Sequence, residues 1–472
     1  STNMQTAHTM MLQDGIPLSN LTQTKWNGAP RWTQIAPNSV ESVKIFYGPF
    51  SAQHSGGSFG SVIEVKSKMP DEFEMHMDAT GFMQESERFG RDETLWGHKE
   101  FISAGNRFGD FTISGFYNHL ENQGQPQMWD AQTATTRAAQ LTALGDRPND
   151  VADFDDAAAL LEAQEGWDDK ETSVNSHFDH ADANPVTGLP YGQNTSGEQT
   201  IITGDSGIEE MMTDLYSVKM GYDITDNLRA LFNINFEDYQ NDRGFDDLAA
   251  RNYLAGQGVW SDGNATNGTT GDVISQDGAF YIPTKRGWGA SRYAPTKSIR
   301  QTLSYGFNLS GQINDDWSID TSASYFDAFK DYNIAADNSA LDPSNTNSGS
   351  ITEKEMWWAT YDFKLATDHF LGDKDLGFMW GYQYHQADLN TKQYSSDNIT
   401  SQIRTDLSRD SGGETQLHSG FAQLDYDFLG DFNVMAGARL DYWAASGGHD
   451  VKKGYGGDNR SFDDREQTRG SP

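Results

Sequence analysis

The chain of 472 residues contains no cysteine, which excludes disulfides, thiolate metal sites and cysteine nucleophiles. It has no run of 18 apolar residues, and its mean hydropathy is −0.69, so no helical transmembrane span is expected. Cations are scarce: 34 Lys and Arg against 69 Asp and Glu give a formal net charge of −35. Such a chain does not supply net phosphate neutralisation, and nucleic acid is excluded as a partner. The acidity fits solubility or a salty medium more readily than a dedicated cation-attracting surface. Ser, His and Asp do not stand in a strand–elbow–helix setting of the G-x-S-x-G kind, and neither a phosphate-cradling loop nor an H-E-x-x-H pair occurs, so no enzymatic activity is expected. The chain starts Ser1-Thr2-Asn3 without a signal segment and ends in the polar stretch 464–472. Both ends read as interruptions of a longer polypeptide.

What the chain does have is alternation. Tyr216, Val218, Met220, Tyr222 and Ile224 alternate with Ser217, Lys219, Gly221 and Asp223. After Thr225-Asp226-Asn227 come Leu228, Ala230, Phe232, Ile234 and Phe236 on the same period of two, which puts apolar and polar sets on opposite faces of a strand. The pattern recurs at 303–309 and 317–319, at 357–365 and 376–384, and at 420–428 and 432–444, joined by short polar turns. About eleven such strands are counted between Phe73 and Ala444. They run for roughly ten residues or more, the length that crosses a bilayer at a tilt, whereas strands of globular proteins usually run about five or six. Aromatic residues cluster beside the short turns (Phe428, Phe432, Trp317, Phe378), as an interfacial girdle requires. A soluble β-propeller also has many strands, but its repeats of about 40–50 residues carry similar loops. Here the long segments 122–210, 241–299, 337–353 and 387–414 are grossly unequal. The predicted fold class is therefore mainly β, a transmembrane antiparallel barrel.

Ahead of these strands, 40–68 reads V-E-S-V-K-I-F-Y-G-P-F-S-A-Q-H-S-G-G-S-F-G-S-V-I-E-V-K-S-K. Two strand-like runs, Val40–Tyr47 and Ser61–Lys68, flank a hinge in which Gly48-Pro49 breaks the first run and Gly56, Gly57 and Gly60 permit a tight return. Upstream lies Leu12-Gln13-Asp14-Gly15-Ile16-Pro17-Leu18. The two stretches resemble the plug domain of TonB-dependent outer-membrane receptors, whose pattern there is L-x-D-G-V/I-P-L, then E-x-V/I-E-V, R-G-P and G-x-x-G-G-V-I-N-I-x-T-K. Glu41, Val43, Gly48-Pro49, Gly56-Gly57, Gly60, Val62-Ile63, Val65 and Lys68 match. Tyr47 replaces the usual Arg, His54 stands where Tyr is common and Glu64 replaces the usual Asn.

The resemblance implies an α+β plug over 1–70 and a barrel over 71–472, with about eleven of the family's roughly 22 strands. An open half-barrel leaves two unpaired edges and is not expected to transport alone. The resemblance also implies active uptake of a scarce chelate, most often a ferric siderophore, sometimes haem, cobalamin or a glycan. The implied partners are outer-membrane lipid and lipopolysaccharide, and a TonB–ExbB–ExbD complex acting through an N-terminal box that this sequence does not contain. A non-transporting sensor or adhesin built on the same plugged barrel is the alternative. No resident cofactor is implied; the cargo can carry Fe3+, and loop carboxylates are candidates for Ca2+.

Asp14, Gly15, Gly48, Pro49, Gly56, Gly57 and Gly60 are read as the plug's structural motif. The apical loop 19–36 offers Lys25, Trp26, Asn27, Arg31 and Trp32, two rings and two cations that suit an anionic ring system. The plainer reading is that both tryptophans pack the plug against the wall. Within 123–210, His177, Asp179, His180 and Asp182 have donor types suited to a divalent cation, although the spacing is not diagnostic. An acidic vestibule would repel anionic ferric chelates unless Lys25 and Arg31 offset it.

Overall fold

In the computed structural model the described residues are 9–18, 21, 32–47, 52–53, 61–89, 91–126, 129–135, 163–168, 170, 183–186, 191–193, 199–243, 251–252, 273–276, 279–283, 295–337, 347–428, 432–453 and 459–471. The first body is a four-stranded sheet in the order β2-β1-β4-β3, built from β1 (Thr9–Gln13), β2 (Ile16–Pro17), β3 (Val40–Tyr47) and β4 (Ser61–Ser67). Strands β1 and β2 form a hairpin in which Gln13 pairs with Ile16. Its two loop residues, Asp14 (φ 50°) and Gly15 (φ 81°), are both left-handed. That is the two-residue turn for which Asp-Gly is favoured, because its twist matches the flanking strands. Strand β4 pairs parallel to β1 and antiparallel to β3. Met11, Leu18, Ile63 and Val65 form the buried cluster of this body, with Ile35 and Val40 packed on it. Among its described residues there are strands and the 3-10 turns Trp32–Gln34 and Pro37–Ser39.

The second body is one long antiparallel wall. It opens with β5 (Glu74–Arg88), β6 (Arg91–Phe108) and β7 (Phe111–Gly124). Short strands follow: β8 (Trp129–Thr135), β9 (Ala183–Val186), β10 (Tyr191–Gln193) and β11 (Gln199–Asp205). The wall resumes with β12 (Glu209–Thr225) and β13 (Leu228–Arg243), is interrupted by β14 (Arg251–Asn252), β15 (Val273–Gln276) and β16 (Ala279–Pro283), and continues through β17 (Thr296–Gln312), β18 (Trp317–Ala336), β19 (Gly349–Thr367), β20 (Leu376–Ser396), β21 (Leu407–Phe428) and β22 (Phe432–Lys452). Strands β23 (Arg460–Ser461) and β24 (Arg465–Ser471) both pair with β22. Among the described residues the wall thus has eleven long strands and two short ones in a sheet that does not close. The count from alternation agrees with the eleven long strands.

The apolar face points outward. In β12, Tyr216, Val218, Tyr222 and Ile224 are exposed, while Leu215, Ser217 and Lys219 are buried. Cross-strand pairing carries the outer set sideways: Tyr216 lies opposite Tyr117 and Phe236, Phe307 opposite Phe232, and Tyr361 opposite Tyr384. Near the short turns the outer face carries exposed Phe108, Phe111, Tyr222, Tyr426 and Phe432. Roughly six to ten residues further along the strands a second aromatic row closes the band. In it Tyr117 and Tyr216 lie 4.8 Å apart, Tyr325 and Trp357 6.0 Å, and Tyr384 and His418 4.8 Å. An apolar band between two aromatic rows is the pattern of a membrane-crossing barrel wall.

The expected long loops need correction. Strands β20 and β21 occupy 387–396 and 407–414, leaving only 397–406 between them. Strand β19 begins at Gly349. Segments 122–210 and 241–299 are not irregular throughout; their short strands join in a third sheet, ordered β10-β11-β8-β15-β16-β9 with β14 on β11. The physical reason is that strands continue beyond the apolar band. There both faces meet water and the alternation that marks a strand disappears, as at Asn390-Thr391-Lys392 and Asp410-Ser411-Gly412.

Candidate functional site

The junction between the small sheet and the inner face of the wall is where buried polar groups gather. The hairpin tip is its centre. Asp14 is held in a left-handed turn, so its carboxylate leaves the sheet and reaches three donors. The Ser67 amide donates to Oδ1 at 2.9 Å, the Ser67 hydroxyl donates to Oδ2, and Lys219 Nζ from the middle of β12 donates to Oδ2 at 3.3 Å. The Lys219 and Asp14 side chains are 4% and 6% exposed. A pair so desolvated is costly to bury and costlier to break, because the surviving charge has no water to turn to. Beside it the Gly15 carbonyl accepts from Ser322 Oγ at 3.2 Å. The wall makes room for the hairpin with a glycine: a Cβ on Gly306 would stand 2.0 Å from Ile16 Cδ1.

A second tie lies along the turn Trp32–Gln34. Arg300 of β17 donates to Glu237 Oε1 at 3.0 Å and to Thr33 Oγ1 at 3.1 Å. Gln34 Nε2 donates to Thr302 Oγ1 at 3.2 Å, and that hydroxyl donates to Glu237 Oε2 at 3.2 Å. Glu237 is fully buried, and the bonds from Arg300 and Thr302 help to satisfy a carboxylate shut away from water. Further round, Lys99 Nζ donates to Asn38 Oδ1 at 2.8 Å, and Arg439 Nη1 donates to the Ala52 carbonyl at 3.1 Å. Apolar contacts fill the intervals. Ala36 joins Phe101, Leu215 and Phe116, and Leu21 packs on the wall cluster of Phe326, Met356 and Trp358. Between the hairpin and strands β18–β21 a cavity of about 160 Å³ remains, lined by Met10, Glu64, Asp320, Asp362, Lys364 and His385 among others.

Of the residues singled out from sequence, the structure places Asp14 and Gly15 at this junction, and Trp32 at the start of a 3-10 turn. Lys25, Trp26, Asn27, Arg31, Gly48, Pro49, Gly56, Gly57, Gly60, His177, Asp179, His180 and Asp182 lie outside the described residues. Tyr47, in the position of the family's usual Arg, is exposed at the end of the edge strand β3. Sequence reading missed Lys219, Glu237, Arg300, Ser67 and Arg439. The available signal was a charge in mid-strand on the polar face of a wall whose other face is apolar; alternation alone does not say which such charges meet a partner.

Arrangement and order of the two bodies match known proteins. Residues 221–471 match the family described as TonB dependent receptor-like, beta-barrel. No curated protein sequence matches. Among solved structures the chain resembles the ferric citrate transporter FecA in the unliganded form, at 10% identity over 99% of this chain and 51% of that one, with a TM-score of 0.52. It resembles the ferric yersiniabactin uptake receptor FyuA from Yersinia pestis at 13% identity over 98% and 52%, with a TM-score of 0.50. It resembles the copper transporter OprC at 11% identity over 98% and 51%, with a TM-score of 0.51. The chain spans about half the length of these proteins, and at such identities the likeness is one of fold. With the family match covering more than half of its residues, the chain belongs to the TonB-dependent receptor family.

Proposed function

We propose that this chain is the plug and the leading part of the barrel of an outer-membrane active transporter that imports a scarce metal chelate, a ferric siderophore or a similar iron complex. In this reading residues 1–70 close the lumen of the barrel formed from residue 71 onward. Cargo docks on the apical plug loop, where Lys25, Trp26, Asn27, Arg31 and Trp32 meet it, and an inner-membrane TonB–ExbB–ExbD complex pulls the plug to open a path. The wall lies in outer-membrane lipid and lipopolysaccharide of a Gram-negative cell.

The observation that carries this reading is the buried Lys219–Asp14–Ser67 junction. A seal that must hold against thermal motion yet yield to a pull is well served by a few buried polar ties. Breaking one such ion pair costs about 3–5 kcal/mol, enough to keep the plug seated at rest. Because polar groups can be rehydrated as water follows the moving plug, the loss is reversible in a way that tearing a dry apolar core is not. The opening step is then a local change in plug order.

The test is growth of cells with and without the full-length gene on a panel of ferric chelates under iron limitation. Growth lost on one chelate, and lost again when Trp26 and Arg31 are both changed to Ala, is the expected result. Equal growth on every ferric chelate of the panel would remove ferric-chelate uptake and leave cobalamin, haem, a glycan, or a sensor or adhesin role.

A further inference from the structure

The outer face carries a cluster that neither the plug junction nor cargo uptake uses. Strands β6 and β7 present His98 and Glu100, and His119 and Glu121, at alternate positions on their outward faces. Register places His98 opposite Glu121 and Glu100 opposite His119. The four side chains therefore form a two-by-two checkerboard, His on one diagonal and Glu on the other, with directly opposed Cβ atoms about 5 Å apart. Ligand atoms of His98, Glu100 and His119 all lie within 4.8 Å of one another. His98 Nε2 stands 3.8 Å from Glu100 Oε1, and His119 Nε2 stands 3.9 Å from Glu121 Oε2.

A second observation separates this from a chance surface grouping. His119 Nδ1 lies 2.8 Å from Asp214 Oδ1 on the next strand, β12, and the Tyr117 hydroxyl donates to the same oxygen at 2.6 Å. An ionised carboxylate only accepts, so Nδ1 carries the hydrogen. The lone pair of His119 is thereby fixed on Nε2, the nitrogen that stands 3.9 Å from Glu121 Oε2. A carboxylate holding the far nitrogen of a histidine is the arrangement that orients metal-ligating imidazoles and raises their basicity. Small residues flank the cluster: Gly81 lies opposite His98 and Ala79 opposite Glu100. The side of the site away from β7 is therefore uncrowded.

From this geometry we propose that His98, Glu100 and His119 form a binding site for a borderline divalent cation of the zinc or copper(II) class, with Glu121 as an alternative oxygen donor and Asp214 as the positioning residue. Two imidazoles and a carboxylate are the donor set such ions take, with positions left for water. A tetrahedral ion at about 2.1 Å from nitrogen needs donors about 3.4 Å apart, which small rotamer adjustments of the half-exposed His98 and Glu100 provide. The site lies one outward position beyond the Tyr117–Tyr216 row, on the side away from the short turns. It is thus on the outer wall, where the apolar band gives way to polar surroundings, and not in the lumen.

The experiment uses the full-length receptor folded in detergent and stripped with EDTA. Zinc chloride binding is followed by calorimetry, and cobalt(II) substitution by its visible absorption. One zinc per chain is expected. His98→Gln and His119→Gln should each weaken it at least about tenfold, and Asp214→Asn, which removes no ligand, about 10–100-fold. Far-UV circular dichroism confirms folding, and the exposed His98→Gln keeps the test decisive should His119→Gln disturb the strand. Absence of stoichiometric zinc, binding unchanged in both histidine variants, or binding abolished only by His177→Ala with His180→Ala would each overturn the proposal.

Discussion

The two faces of the wall are made of the same strands, yet burial and polarity are distributed on them in opposite senses. On the inner face of β12, Ser217 and Lys219 are almost fully buried; on the outer face of that strand, Tyr216, Val218, Tyr222 and Ile224 are exposed and apolar. In a water-soluble sandwich the buried face is the apolar one. Here the apolar face meets hydrocarbon, which asks nothing of it except the absence of charge. The polar face meets a packed domain, where each donor and acceptor needs a partner. The outer face is therefore tolerant of shape and intolerant of charge, and the inner face is tolerant of neither. Substitutions on the two sides should fail for different reasons.

The largest effect is expected where the inner face loses a charge. Lys219→Met leaves the Asp14 carboxylate buried with only the two Ser67 donors, and should destabilise the seating of the plug by about 3–5 kcal/mol. Hydrogen exchange of the β1 and β4 amides should accelerate while that of β13 and β17 does not. Adding Asp14→Asn should restore part of the loss, since no uncompensated charge then remains. Unchanged exchange in the single variant would mean that the pair does not seat the plug. The outer-face counterpart is Val218→Arg, one residue away. Its expected cost is about 2–4 kcal/mol in a bilayer, read as a lower midpoint of denaturant unfolding from lipid vesicles, with plug exchange unaltered. Equal responses to both variants would erase the distinction between the faces. A smaller effect tests shape alone. Gly306→Val places a Cβ 2.0 Å from Ile16 Cδ1, and overpacking of this kind costs about 1–3 kcal/mol. Trimming Ile16 to Ala in the same chain should relieve part of it, leaving the contact with Asn233 Oδ1, 2.3 Å from the same Cβ position.

These contrasts also show why one face is easier to read from sequence than the other. The outer face is legible because hydrocarbon imposes a rule at every second residue, so the order of residues from Tyr216 to Phe236 is enough to mark two strands and their turn. The Asp14-Gly15 turn is legible because both residues take positive φ and few residue pairs do so cheaply. The partner of Asp14 is not legible: Lys219 lies 205 positions away and looks like its neighbours Ser217 and Gly221 on the polar face. His98 and His119 escape notice for a similar reason. Each has a glutamate two residues further along its own strand, but only the β6–β7 register brings the two pairs together. Strand ends are hidden where both faces meet water, which is why 387–414 reads as loop although β20 and β21 cross most of it.

The rim beyond the apolar band offers the gentlest test, because there both faces are wet and the difference between them should vanish. In β21 and β22, Arg409 donates to Asp450 at 2.8 and 3.1 Å, and the His449 ring lies 3.0 Å from the Gly447 carbonyl and 3.3 Å from Asp410. Hydrogen bonding to the Gly447 carbonyl, and then to Asp410, raises the His449 imidazole above its ordinary 6.5. The hydrogen bond from Arg409 lowers Asp450 below its ordinary 3.8, with Lys452 and Arg460 adding to it. A raised histidine contributes stability that is fully present below pH 6.5 and is lost as pH rises through its folded value. A lowered carboxylate contributes stability present above about pH 3.8 and lost only as pH falls through its own, lower folded value. From about pH 6 upward only the histidine should change, so protection from exchange at the β21–β22 rim, taken relative to the intrinsic exchange rate at each pH, should fall through that window, and His449→Gln should remove that fall. Both pairs are exposed and screened by salt, so the effect should be small and should shrink further at high ionic strength. A rim that responded as strongly as the Lys219 junction would mean that this end of the wall is packed against something other than water.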